Sequence, residues 1–341
     1  MSIGFNTQRN LLRNVVVSAG IQTDFAQTFD DADLTEHLKI DPTSYVKFNP
    51  EMQSDVDQAG KGHSSATESD LIAISAALDL TTRANDWNTG WALMLVMGNH
   101  SATNAVGVYT HTFKFEDSQN NVAKVSNMYI EDTNAIKYKL LDVAGSTLTL
   151  TSTAKGAMDL KLSLMGTGRT VDGAMGAVPA IVARQRFYGS DTKVKLGPVG
   201  APLDFYPRVL SWEIELDRGT TEMRVPGNGT TAAFLQWGNP KPKVKLVIAA
   251  DSTDDVRAWQ RAGTPLELQI NTTSGPSQIN FKFPKVILPA DDFTDQNGSS
   301  AYSVQLDENT ILRAVGQEVA TATLVNGIAA YGTVIAPPEE D

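Results

Sequence analysis

The residues of this sequence that could carry out chemistry are its histidines and carboxylates, and their spacing favours no catalytic or metal site. The 341-residue chain contains four histidines, and none has a second histidine two to four positions further along, as compact metal motifs require. The chain contains no cysteine, so thiolate catalysis, zinc–thiolate sites and disulfides are excluded. The histidines are His37, His63, His100 and His111.

Nucleotide-binding and glycosidase motifs are also incomplete. Gly166-Thr167-Gly168 begins like a dinucleotide fingerprint, but the third glycine is misplaced and no helical pattern follows. Adjacent carboxylates such as Asp254-Asp255 have a local explanation at the start of a helix, whereas a glycosidase needs two acids that face each other across a cleft. The sequence therefore predicts a protein that is not an enzyme, with no catalytic, metal-binding or cofactor-binding residues.

One row of carboxylates has a spacing that predicts a different role. Between Ser211 and Gly219, three acids alternate one by one with three large apolar residues. The acids are Glu213, Glu215 and Asp217. The apolar residues are Trp212, Ile214 and Leu216. Because a strand has a period of two, this segment buries its apolar face in a core and presents a row of carboxylates on the other face. Like charges in such a row repel each other, which costs stability unless the function needs them.

The rest of the chain also reads mainly as strands, separated by clusters of Gly, Asn, Asp and Pro. Thr147–Thr151 and Met158–Leu164 alternate cleanly and predict a hairpin through Ala154–Ala157. Further strands are predicted at Lys193–Leu196, Lys243–Ala249, Leu266–Ile270, Ile279–Phe283, Tyr302–Leu306 and Glu318–Val325. A mainly β fold follows from this pattern.

Helical patterns are few. The clearest predicts a helix at Asp254–Ala262, with acids in its first turn and Gly263 just after its end. Val256 and Trp259 lie one turn apart in it and would form its buried face. A second pattern, Asp86–Met97, is weakened by Gly90, since glycine destabilises a helix interior.

The order of these elements predicts an internal repeat. Trp87 and Trp259 lie 172 residues apart, about half the chain length, and each belongs to a helix candidate between two apolar strands. Further upstream, each half also has a strand that leads into a long polar loop. We interpret this order as two similar β domains, residues 1–170 and 171–335, followed by an acidic tail at residues 336–341.

The loop after the acidic row is longer than a tight hairpin needs. It spans Gly219–Thr230 and is rich in turn-forming residues. Its candidate contact residues are Arg224, Pro226, Gly227, Asn228 and Gly229. Such a loop can reach beyond its own sheet.

The overall charge restricts the partners of the chain. The formal net charge is −11 and the pI is about 4.9. Because affinity for nucleic acid comes mainly from Lys and Arg on phosphates, this charge argues against nonspecific DNA binding. It is compatible with a surface past which DNA slides.

In order and composition, the chain resembles the tail tube proteins of long, non-contractile-tailed (siphovirus-type) bacteriophages. The likeness rests on the Ser211–Gly219 strand with its long loop, the strand and helix at Val244–Ala262, and the closing strands Tyr302–Asp307 and Val319–Asn326. The resemblance implies a β-sandwich or split barrel with one flanking helix, duplicated within this chain. The N-terminal half shows the same order more faintly, and near Tyr45–Asp57 it departs from the acidic pattern.

The resemblance also implies an assembly. Subunits of this family form stacked rings whose inner sheets join into one barrel around a lumen, and the long loop reaches the neighbouring ring. Two halves per chain imply a homotrimeric, pseudo-hexameric ring, with a hexamer of chains if the repeat is not real. The acidic row would then line a negatively charged lumen, with the apolar row packed behind it and the loop residues between rings.

The partners implied by the resemblance are other copies of the chain, a tape-measure protein in the lumen, and terminator and distal tail proteins at the tube ends. Phage DNA would pass through the lumen without specific binding, and neither a cofactor nor membrane insertion is expected. The protein would be made and assembled in the host cytoplasm and reside in the virion tail.

Two other functions remain open from sequence. One is a tail terminator or distal tail ring protein, which caps a tube rather than polymerising. The other is a receptor- or carbohydrate-binding β-sandwich, which would need surface aromatic residues in an open groove.

Overall fold

The structure is a computed structural model in which twenty strands and two α-helices are described. The described residues are 12–18, 31–41, 44–54, 69–115, 123–132, 137–201, 204–227, 229–250, 255–289, 292–296 and 299–331. The acidic tail at residues 336–341 and the loop residue Asn228 therefore lie outside the described part.

The helices are α1 (Asn88–Met97) and α2 (Asp255–Ala262). The strands of the first half are β1 (Leu12–Ser18), β2 (Leu34–Leu38), β3 (Tyr45–Ser54), β4 (Ser69–Arg83), β5 (Gly98–Ala105), β6 (Val108–Phe115), β7 (Val125–Asp132), β8 (Lys137–Thr153), β9 (Asp159–Gly166) and β10 (Thr170–Asp172). The strands of the second half are β11 (Thr192–Pro198), β12 (Val209–Asp217), β13 (Thr221–Met223), β14 (Phe234–Gln236), β15 (Lys241–Ala249), β16 (Leu266–Ser274), β17 (Ser277–Val286), β18 (Asp292–Gln296), β19 (Ser299–Leu306) and β20 (Ala320–Asn326).

The larger sheet contains a continuous antiparallel path of eight strands. Its order is β3-β4-β9-β8-β12-β15-β19-β18. Strand β8 is 17 residues long and pairs with β9 and β12 along its second half, while β7, β1, β2 and the short β10 extend from its first half. We call the path from β3 to β18 the long sheet.

A second sheet of six strands lies against the first, in the order β11-β16-β17-β20-β6-β5. The apolar rows of the two sheets form one core, to which the long sheet contributes Leu148, Ile214 and Leu246 and the second sheet contributes Phe281 and Leu324. Because each strand alternates, one face of each sheet is buried between the layers. The expectation of a mainly β sandwich is confirmed.

The two halves of the long sheet connect their strands in the same way. In the first half the strands follow each other along the chain as β3, β4, β8 and β9. Within the sheet their order is β3-β4-β9-β8, so the third and fourth strands exchange places. In the second half β12 and β15 are followed in the same manner by β19 and β18. In each half a helix and a hairpin, α1 with β5–β6 or α2 with β16–β17, separate the second strand from the third.

The two helices occupy different environments. Every residue of α1 is buried, because this helix lies within the core and contacts β8, β5, β6 and β12. Helix α2 begins at Asp255, which is close to the expected start. Four of its eight residues are exposed, and Val256 is buried. A buried helix is expected to be apolar on all sides, as α1 is, and a helix at the surface is expected to be amphipathic, as α2 is.

Candidate functional site

The alternating segment forms strand β12, whose two faces differ as their residue types require. Trp212, Ile214 and Leu216 are buried in the sandwich core, with at most 6% of their surface exposed. The three intervening acids lie on the opposite, outward face of the long sheet and are half-buried. This outward face is the candidate functional surface.

A row of lysines on β15 lies directly opposite the acids. In the antiparallel register Glu213 faces Lys245, Glu215 faces Lys243 and Asp217 faces Lys241. The Lys243 Nζ donates to Glu215 Oε1 at 2.7 Å, and this hydrogen bond and the carboxylate charge raise the pKa of Lys243. The acidic row is therefore paired with a basic row, and its expected net negative charge is cancelled by the next strand.

The pairing continues across five strands as a regular grid of fifteen outward residues. Three rows cross β4, β9, β8, β12 and β15 through the strand registers. The rows are Asp79-Ser163-Thr147-Asp217-Lys241, Thr81-Lys161-Thr149-Glu215-Lys243 and Arg83-Asp159-Thr151-Glu213-Lys245. We call these fifteen residues the outward grid.

The outward grid contains five acids, five bases and five hydroxyl residues, so its formal charge is zero, compared with −11 for the whole chain. Ser163 Oγ donates to Asp79 Oδ1 at 2.5 Å, and Arg83 pairs with Asp159. Sequence reasoning missed the lysine row. The alternation Lys241-Pro242-Lys243-Val244-Lys245 indicates a row of lysines on one face of a strand. Only the pairing of β15 with β12 shows that this row lies opposite the acids.

The loop after β12 folds back over the first half of the chain. Strands β13 and β14 pair as a short hairpin, and Thr230 accepts a hydrogen bond from the Ile74 backbone at 2.8 Å. The Arg224 guanidinium donates to the carbonyl oxygens of Thr230 and Ile74 at 2.6 and 3.2 Å. Pro226, Gly227 and Gly229 remain exposed at the tip, and both glycines have positive φ.

The base of this loop is fixed by a buried arginine that the sequence did not single out. The Arg218 guanidinium carbon lies 5.1 Å from the ring centre of Phe115 and 4.9 Å from that of Trp237. Only 2% of Arg218 is exposed. Cation–π contacts in a desolvated site stabilise this geometry, so the loop leaves the sheet in a defined direction.

The flanking helix packs by one face onto the end of the sandwich. Val256 is 1% exposed, and Trp259 is partly buried against the core, 6.1 Å from the Tyr206 ring. Asp255 at the helix start accepts from the Tyr206 hydroxyl at 3.0 Å and pairs with Arg208. These contacts hold the buried face of α2 against the core.

The long sheet ends in two edge strands. In the described part of the chain, β3 pairs with β4 alone and β18 pairs with β19 alone. Pro50 lies within β3, a position that an edge strand tolerates because one side of its backbone needs no donor. Free strand edges are templates for pairing with another chain.

Metal-ligand clusters and membrane-spanning helices are both absent from the described residues. Among them, no group of three or more His, Asp or Glu side chains could hold a metal ion. In the same residues, no helix is both long enough and apolar enough to cross a bilayer. A groove of about 910 Å³ lies beside the β4–β9 end of the grid and is lined by residues of mixed polarity that include Arg83, Asp159 and Ile181.

Comparison with protein families gives a match that covers most of the chain. None of the curated proteins compared with the chain matches it. The profile of a protein family described as phage tail tube protein matches residues 13–321, which covers most of both sheets. The chain therefore belongs to the phage tail tube protein family.

Proposed function

We propose that this tail protein is the major tube subunit of a siphovirus-type phage and polymerises into stacked rings around a lumen. Membership of the family makes it a structural protein of the phage tail. The observation that carries the proposal is the long sheet, an eight-stranded antiparallel ribbon with one core face, one polar face and an edge strand at each end. Joining such ribbons edge to edge removes the free edges and closes a barrel.

The number of chains per ring follows from the repeated strand order. By that order, β12 in the second half corresponds to β3 in the first, and β18 corresponds to β8. The chain already contains one joint between the halves, the antiparallel pair β8–β12. The corresponding joint between molecules is β18 with β3 of the next copy. Three chains joined in this way form a pseudo-hexameric ring, and the repeat supports domains near residues 1–170 and 171–335.

In such a ring the outward grid faces the lumen, so Glu213, Glu215 and Asp217 line the channel. The row behind them, with Trp212 at its start, is the core that keeps β12 in place. The exposed tip at Pro226, Gly227 and Gly229 is available for contact with the next ring. In the sequence Asn228 lies between the two glycines, so we include it among the candidate contact residues.

The proposed partners follow from that geometry. During assembly the tubes enclose a tape-measure protein, and terminator and distal tail proteins close their ends. During ejection phage DNA passes through the lumen. The carbohydrate-binding alternative needs several exposed aromatic residues in one groove. Four of the five tryptophans are buried, with at most 6% of their surface exposed, and the exposed aromatic residues among those described are Tyr188 and Phe205.

Negative-stain electron microscopy of the concentrated protein tests the proposal. We expect rings or hollow tubes, with threefold symmetry in end-on views of single rings. A sixfold arrangement of whole chains would overturn the duplication. If the protein forms single rings that do not stack into tubes, with or without purified tail-tip complexes, it is a terminator or distal ring protein instead.

A further inference from the structure

The charge distribution of the outward grid differs from that of the molecule. The chain as a whole carries eleven more acids than bases, whereas the grid carries five of each. All five remaining positions are Ser or Thr, which carry no charge. The surplus of acid therefore lies elsewhere on the chain, and the outward face has a composition of its own.

The opposite charges of the grid are neighbours rather than separate patches. Lys243 and Glu215 form an ion pair at 2.7 Å, and Arg83 pairs with Asp159 on the adjacent strands. Side chains directly opposite on paired strands have Cβ atoms about 5 Å apart. Opposite charges this close together largely cancel at distances greater than their separation, so a long charged chain meets little net charge here.

The lysine row on β15 would be a phosphate-binding row if it stood alone. Lys241, Lys243 and Lys245 project from the same face of one strand, and Lys241 and Lys245 are exposed. Each lies opposite one acid of β12. Lysines in such a row bind phosphates of nucleic acid and release counterions.

We propose that the acidic row of β12 masks the lysine row of β15, so that the outward face neither captures nor repels a phosphodiester polyanion that moves along it. The partner that fits this surface is double-stranded nucleic acid in motion. The identity of this partner rests on the proposed function. The masking itself is a property of the isolated chain.

The test uses the unassembled chain, isolated by gel filtration, and a fluorescent 20-base-pair DNA duplex at low salt. The acid-neutral variant combines Glu213→Gln, Glu215→Gln and Asp217→Asn. We expect at least a tenfold gain in duplex affinity over the parent protein. With three lysines unmasked, the slope of log affinity against log salt is expected near −2.7, that is, about −0.9 for each phosphate contacted.

Matched variants separate masking from other effects. The lysine-neutral variant, Lys241→Gln with Lys243→Gln and Lys245→Gln, keeps the acids and is expected to bind no duplex. Adding these three changes to the acid-neutral variant is expected to abolish its gain. Circular dichroism and thermal melting establish that each variant is folded. Asp217→Asn keeps an oxygen that can accept from the Gly219 N–H, now at 2.8 Å.

A folded acid-neutral variant that binds duplex no better than the parent overturns the inference, as does a gain that survives loss of the lysines. Neither result depends on whether tubes form. If electron microscopy shows no rings but the gain appears, the proposed function fails while the masking stands. If tubes form and the gain is missing, the reverse holds.

Discussion

Among individual residues, the histidine pair His100 and His111 connects three segments in or beside the second sheet. Their rings are stacked, with His100 Nε2 3.0 Å from His111 Nδ1, and His111 Nε2 lies 2.8 Å from the Ile328 carbonyl oxygen. Burial, together with the charges of His111 and Lys124, lowers the pKa of His100 to about 4. Burial also lowers the pKa of His111. Both rings are therefore neutral at pH 7, and the pair links β5 and β6 to the segment after β20.

This pair predicts acid sensitivity. Because the folded pKa of His100 lies below its unfolded value of about 6.5, the unfolded state binds more protons between pH 6.5 and 4, and stability falls as the pH is lowered through that window. We expect His100→Gln to flatten the fall of the melting temperature over this range by several degrees, measured by thermal unfolding at half-unit pH steps. His37→Gln, outside the cluster, is the control. An unchanged profile in His100→Gln would contradict the role of the pair.

At the scale of elements, helix α1 shows why a residue that weakens a helix in isolation is needed in the fold. A Cβ atom added at Gly90 would lie 2.2 to 2.5 Å from three carbons of the Tyr331 ring. Tyr331 cannot easily withdraw, because its hydroxyl is held by the Asp86 carbonyl and the Asn326 amide. Glycine at position 90 thus lets the segment after β20 pack directly on the helix.

Gly90→Ala is therefore expected to destabilise the protein. The better helix propensity of alanine contributes up to about 1 kcal/mol, but overpacking in a fixed core costs about 1–3 kcal/mol, so a net loss follows. Urea unfolding monitored by tryptophan fluorescence measures it. Gly176→Ala, where an added Cβ meets nothing within 4 Å, is the matched control and is expected to change stability by less than about 0.5 kcal/mol. Equal stability of both variants would show that Tyr331 moves freely.

At the scale of the whole molecule, the two edges of the long sheet do not pair with each other within the described part of the chain. Seven strand spacings of about 4.8 Å separate β3 from β18, or roughly 34 Å along the sheet. A disulfide requires Cα atoms closer than about 7 Å. Because the two edges do not pair within the described part of the chain, a cross-link between them is expected to join different molecules.

The absence of native cysteine makes this contact testable. Lys47→Cys on β3, combined with a cysteine at each position of Asp292–Gln296 in turn, is expected to give disulfide-linked trimers in assembled tubes at the positions that face each other. Denaturing electrophoresis without reductant measures them. Lys47→Cys alone is the control and can give at most dimers. If tubes with clear rings form but none of the tested cysteine pairs gives a cross-link, the β18–β3 joint is overturned.

The sequence by itself determined the local structure of this protein. Alternation fixed the buried row of β12 and its outward acids, because a strand places successive side chains on opposite faces whatever its neighbours are. The same reasoning predicted most strands and located α2 to within one residue at its start. The internal repeat that it indicated stays a prediction. The family resemblance added the tail tube interpretation, which the profile match supports.

The tertiary structure decided what those local patterns face. A sequence does not say which strand lies beside which, so it cannot pair the lysines of β15 with the acids of β12. From the sequence alone, the acidic row of β12 therefore indicates a surface of net negative charge. Nor could the sequence show that Tyr331 rests on Gly90, more than two hundred residues earlier, and so makes the weakest residue of α1 necessary. Charge balance and close packing depend on contacts between segments distant in the chain, and only the fold brings those segments together.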